Sequence, residues 1–202
     1  MTAALAPLLS RRSHRTGPAL TLGPDIALAQ GRVHEICGRA RRSLALRLAA
    51  ETEGPVVWIA PSWGTDPLGL DGVAALVAPA RLVFLSPART EDQLWCLEES
   101  LRSGMVPLVV ADLSEPPALT PVRRLHLAAE AGTAEGGPPP TGLLLTPREG
   151  GAPGVETRFR IEPDHAPGET RWRLDRLRAR MAPPRSWTLG PGMTVAPEHA
   201  PA

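Results

Sequence analysis

The sequence predicts an α/β fold: a mostly parallel central sheet flanked by helices, followed by an antiparallel β-meander. Three observations carry this. Short apolar runs alternate with segments of helical period through about residue 147, the order that builds a parallel sheet covered on both faces. From about residue 155 the period drops to two, with Val155, Thr157, Phe159 and Ile161 alternating with polar neighbours, as in antiparallel strands with one wet face. The 202 residues are 43% hydrophobic, enough for one real core, and the 24 prolines and 19 glycines gather near the ends and around 136–140 as turns and linkers.

Each element follows from its local pattern. Residues 1–30 contain Pro7, Gly17, Pro18, Gly23 and Pro24, so a short helix within 3–15 and then a loose linker are expected. "RVHEI" (32–36) is a short strand ending at Gly38. Segment 39–53 is a helix with Leu44, Ala45 and Leu48 on one face. "PVVWIAP" (55–61) is a strand between prolines, "GLDGVAALV" (69–77) a weak helix and "RLVFLSP" (81–87) another strand. "TEDQLWCLEESLRSG" (90–104) is a helix with Thr90 as N-cap, a Leu94, Leu97, Leu101 stripe and Gly104 as its stop. "VPLVVADL" (106–113) is a buried strand ending in an acid. A helix from Pro121 to 132, a loop at 135–140 and a strand at 141–147 complete the parallel part. The meander is 155–161, 170–178 and 185–190. The domain is expected to span 31–190, with 191–202 a disordered tail.

Composition excludes several classes. Net charge is +1, so no bulk electrostatic attraction to nucleic acid or membrane exists. All 22 basic residues are arginine, so no lysine can clamp a phosphate or form a Schiff base. Cys37 and Cys96 sit in apolar patterns and read as small buried hydrophobes. Neither C-x-x-C nor Cys/His ligand spacing occurs, so no metal is expected. The apolar part of "MTAALAPLLSRRSHR" precedes its arginines, the reverse of a secretory signal. A cytoplasmic protein is expected.

In a parallel sheet, ligands bind beyond the carboxyl ends of the strands. "EICGRARRSLALRLAA" (35–50) has a nucleotide-site shape: apolar run, glycine, helix. A phosphate loop needs a second glycine and a lysine, and both are missing. Gly38, Arg39, Arg41, Arg42 and Ser43 form a basic helix start, which either holds an anion or is a solvated face. Asp112 follows Leu108–Ala111, where an acid can orient magnesium or simply end a strand. Asp66 in "GTDP" reads as a turn aspartate. His34 and His126 have no G-x-S-x-G partner, which points to surface or supporting roles.

The segments "GRVHEICG…LALRLAAE", "VVWIAPSWGTDPL", "EDQLWCLEESLRSGMVPLVVADLSEPPALTP", "RRLHLAAEAG", "GLLLTP", "GG" and "ETRWRLDRLRARMAPPRSWTL" together resemble, in order, the ATPase core of the RecA recombinase over roughly 30–190. The resemblance implies a RecA-like core. Gly38 matches the first glycine of the family's "GPESSGKTT" loop, but the rest is two residues shorter and lacks Gly-Lys. Ser62 falls at the family's catalytic glutamate, Asp112 at its magnesium aspartate, and the DNA loops, near 113–121 and 147–154, are trimmed. The resemblance therefore implies a pseudo-ATPase without cofactor or metal. Its short form is similar to the ImuA family, which acts with the polymerase-like ImuB and an error-prone DnaE-type polymerase in damage-induced lesion bypass. "EESLRSGMVPLVV" and the Arg/Trp-rich end carry that likeness. SulA, which blocks the division protein FtsZ, is the other relative of this kind. A divergent ATPase using Arg39–Arg42 and Asp112 is the enzymatic alternative.

Residues 156–185 carry eight arginines against five acids, a surplus of three. Arg171, Trp172, Arg173, Arg176, Arg178, Arg180 and Trp187 either form a partner or nucleic-acid surface or are a wet sheet face with the tryptophans turned inward. Any DNA contact is expected to be weak.

Overall fold

The structure, a computed structural model, describes residues 17–23, 25–64 and 66–195. In chain order it forms β1 (Ala19–Thr21), β2 (Ala27–Ala29), β3 (Val33–Cys37), α1 (Arg41–Ala50), β4 (Val56–Ile59), α2 (Leu70–Ala74), β5 (Leu82–Leu85), α3 (Thr90–Arg102), β6 (Leu108–Asp112), α4 (Leu119–Ala134), β7 (Thr141–Thr146), β8 (Thr157–Pro163), β9 (Trp172–Ala179) and β10 (Arg185–Leu189).

Eight strands form one sheet in the order β10-β9-β8-β3-β7-β6-β4-β5. β3 through β7 are parallel, and β8 joins β3 in parallel as well, at Glu35–Arg158, Ile36–Phe159 and Cys37–Arg160. Only β9 and β10 run antiparallel to their neighbours. The meander is thus a continuation of the parallel sheet, not a separate layer.

The uniform apolar runs of β4, β6 and β7 are buried on both faces, as strands under two helical layers must be. On one face Ile36, Trp58, Val110, Leu143 and Phe159 pack against Leu44 and Leu48 of α1. On the other, Val57, Val109 and Leu144 pack against Leu97 and Leu101 of α3 and Val122 and Leu125 of α4. Each fully buried leucine contributes about 1.5–3 kcal/mol. Helix α3 also carries Glu91 and Asp92 in its first turn and Arg102 in its last, which complements the helix dipole. The cap position is Arg89, with Thr90 the first helical residue and no side-chain capping bond. Thr90 is therefore not the N-cap.

Residues 19–29 are not a linker. β1 and β2 form an antiparallel hairpin whose Leu20, Leu22, Ile26 and Leu28 lie in the core of the α1 face. Their alternation is only three residues per strand, too short a window for periodicity to register. The hairpin also buries His34 completely, correcting its surface assignment. β5 closes the other end of the sheet as an edge strand, with Val83 and Phe84 about half exposed. The expected tail starts later: Met193 is buried and Val195 bridges Leu189. The helix expected within 3–15, and 196–202, lie outside the described residues. Among the described residues no helix is long and apolar enough to cross a membrane.

Candidate functional site

Three residues join β3 to α1, and their conformation is fixed by β8. Gly38 has φ +92°, and a Cβ there would lie 2.3 Å from the Ile161 carbonyl oxygen and 2.8 Å from Glu162 Oε1. Only glycine fits so close an approach with a positive φ. The N–H of Ala40 donates to the Ile161 carbonyl at 3.3 Å. Arg39 donates to the Glu162 carboxylate from its backbone N–H (3.2 Å) and its Nε (2.9 Å). The Arg39 and Ala40 N–H groups, two of those that could receive an anion ahead of this helix, therefore already meet acceptors of β8, and the Arg41 N–H meets the Gly38 carbonyl. Glu162 is the resident anion, and Ser43 sits half-buried on the next turn.

Neither expectation for Arg41 and Arg42 holds as stated. They do not form a solvated face, and in the free chain acids of the chain itself face them. Asp112, 4% exposed at the end of β6, accepts a hydrogen bond from Arg42 Nε at 2.5 Å, and Arg41 Nε lies 3.6 Å from its other oxygen. The guanidinium of Arg42 also reaches forward, donating to the Asp66 backbone carbonyl (2.8 Å) and carboxylate (2.7 Å). α1 supplies two cations, β6 one buried acid, and the β4–α2 connection one exposed acid. The sequence grouped Arg41, Arg42 and Asp112 at one candidate site, but with 70 residues between Arg42 and Asp112 it gave no sign that they pair with one another.

A magnesium nucleotide does not fit these residues. A divalent cation at Asp112 needs the carboxylate free, whereas both its oxygens face guanidinium groups, and a cation there would sit against two like charges. Among the described residues no group of three His, Cys, Asp or Glu side chains is placed to hold a metal. Ser62 lies on the same cleft and brings a hydroxyl, not a carboxylate.

That cleft, of about 840 Å³, opens at the carboxyl ends of β4, β5 and β6. Its floor is the Arg41–Asp112–Arg42 cluster. Its rim is apolar: Trp63 (57% exposed), Phe84 (49%) and Leu68. The Trp63 ring is held by an Nε1–H bond to the Ala88 carbonyl at 3.2 Å. Neither Trp63 nor Phe84 stood out as a site residue in the sequence, because an apolar run cannot report whether its strand lies at a sheet edge.

The arginine-rich end is largely self-paired. Arg171 pairs with Asp164 and Glu169, Arg173 with Asp175, and Arg180 with Glu156. Asp175 also takes Arg160 Nη2 (2.9 Å) and the Ser186 hydroxyl (2.6 Å). Burial would push its carboxyl up, but these hydrogen bonds outweigh it and hold it below the usual range. Trp172 and Trp187 turn toward the core, and the guanidiniums of Arg176 and Arg185 stack on Trp187 at 5.1 and 5.3 Å. The structure does not gather these residues into one site: within β9, Arg173 pairs with Asp175, Arg176 stacks on Trp187 and Arg178 is exposed.

Two buried groups, Glu35 and His34, set the surroundings. Glu35, fully buried, accepts from the Thr146 hydroxyl (2.7 Å), the Gly151 N–H (2.8 Å), the Ala152 N–H (3.1 Å) and Arg158 Nε (2.5 Å), fixing the loop after β7. His34 Nε2 lies 2.8 Å from the Ala29 carbonyl and Nδ1 2.7 Å from the Thr157 hydroxyl. A carbonyl only accepts, so Nε2 carries the proton and Nδ1 accepts from Thr157. Cys37 is buried beside Glu35, and burial pushes its thiol up to about 12, which makes it inert. Cys96 is only half-buried.

Comparison with protein-family models gives no match, and comparison with curated proteins gives none either.

Proposed function

We propose that this chain is a RecA-like interaction protein of the ImuA type, without ATPase activity, that supports error-prone lesion bypass with a polymerase-like ImuB protein and a DnaE-type polymerase. One observation carries the first half of the reading. Asp112, the acid on which nucleotide chemistry would depend, is neutralised by Arg42 and Arg41. The divergent-ATPase alternative needs these arginines for phosphate, and it would have to break a largely buried ion pair to obtain them. The strand order and the retained Gly38 turn support the RecA likeness, and the sequence pattern of 90–110 and 170–189 supports the ImuA assignment. DNA contact is a minor part of the reading, because most of the arginines it would use are paired within the chain.

The test has two arms. Purified protein should show neither ATP hydrolysis nor a nucleotide-dependent rise in melting temperature; micromolar nucleotide affinity would sink the pseudo-enzyme reading. Tagged protein drawn from DNA-damaged cells should recover the polymerase-like partner. Recovery of FtsZ in its place would assign the division-inhibitor role.

A further inference from the structure

The cleft at the carboxyl ends of β4–β6 has a design that the loss of nucleotide chemistry does not explain. Two guanidiniums share one buried carboxylate, and the balance of charge comes from Asp66, whose side chain is 85% exposed. An ion pair so exposed contributes little. Asp66 is also carried on a connection bounded by Pro61 and Pro67, outside any helix or strand. The second acid on Arg42 is therefore exchangeable, whereas Asp112 is not. Beside it stand Trp63 and Phe84, large apolar side chains about half exposed, of the kind that anchor interfaces together with arginine.

We infer that this cleft is a docking pocket for a segment of a partner protein in which a carboxylate adjoins an aromatic or aliphatic side chain. The incoming carboxylate takes the place of Asp66 on Arg42, and its apolar neighbour packs on Trp63, Phe84 and Leu68. Asp66 is then a built-in competitor that occupies the pocket in the free chain. Charge selects the occupant: when the exposed Asp66 carboxylate is displaced, Arg42 keeps Asp112 on Nε, but its Nη1 lacks a carboxylate unless the ligand brings one. The inference rests on the interaction-protein reading only for who carries the segment.

The experiment pans a random-peptide display library on the full-length chain, then measures the recovered peptides by fluorescence anisotropy. Expected sequences carry Asp or Glu next to a large apolar residue, and replacing that acid by its amide abolishes binding. Asp66→Asn should bind them about two- to fivefold more tightly, the range expected when an exposed ion pair stops competing. Trp63→Ala and Phe84→Ser, both at surface positions, should each weaken binding at least about tenfold while leaving the circular dichroism unchanged. The Arg42 Nε–H resonance should shift on saturation. Failure to enrich such peptides, equal or weaker binding to Asp66→Asn, or indifference to Trp63→Ala would each overturn the assignment. If the polymerase-like partner is captured equally by wild type and Trp63→Ala, the pocket is wrong and the functional reading stands; if acidic peptides bind as stated but no such partner is recovered, the converse holds.

Discussion

Acidification from about pH 7 to about pH 4.5 should destabilise the fold chiefly through His34. Burial lowers this imidazole from 6.5 to about 4. With the folded value below the unfolded one, the unfolded chain takes up the proton first as pH falls through 6.5. Stability is thus full above that point and declines until the folded form titrates near 4. Between pH 6.5 and 4.5 about 2 pH units at 1.36 kcal/mol each give a loss of about 2.5 kcal/mol. The limiting slope is about 1.4 kcal/mol per pH unit. The structural basis is the neutral tautomer bonded to Ala29 and Thr157 under the β1–β2 hairpin. The assay is urea unfolding at several pH values, in wild type and His34→Gln, both in a His126→Gln background. The background is needed because burial also lowers His126, whose Nε2 lies on the Gly154 carbonyl. Asp175 does not interfere: its depressed carboxyl contributes stability that is lost only at more acid pH. His34→Gln should be less stable at neutral pH and nearly flat across the window. A variant that keeps the wild-type slope would refute the reasoning.

Asp112→Asn should cost about 2 kcal/mol in chemical denaturation, below the usual penalty for a broken buried pair because both arginines keep partial solvent contact; an unchanged midpoint would mean the cluster is not formed in solution. Gly38→Ala should cost roughly 2–4 kcal/mol, combining a disfavoured positive φ with a Cβ 2.3 Å from the Ile161 carbonyl oxygen, and calorimetry would show it as a large drop in melting temperature. Leu28→Ala should cost about 2–5 kcal/mol by the cavity it leaves; a near-neutral result would return the 19–29 hairpin to the status of a linker.

How much was legible in the sequence follows from the range over which each force acts. The order of strands and helices was readable because hydrophobic period is a local property. Leu44, Ala45 and Leu48 share a face by helix geometry alone, and the apolar runs at 56–59 and 108–112 are strands under two layers wherever they pack. Gly38 was singled out as the turn, and its positive φ bears that out. The absence of lysine, and with it of a phosphate clamp, was fixed by composition. Charge partnership was not readable. Arg42 and Asp112 are 70 residues apart, Arg39 and Glu162 are 123, and an ion pair has no signature along a chain. Which apolar strand would be the edge, exposing Phe84 beside Trp63, depended on sheet order. The burial of His34 depended on a hairpin of three-residue strands folding over it. Sequence alone determined most of the elements from β3 onward and the absence of any lysine. Tertiary structure decided what the remaining charges do, because only the fold brings the carboxyl end of β6 and the start of α1 within reach of one another.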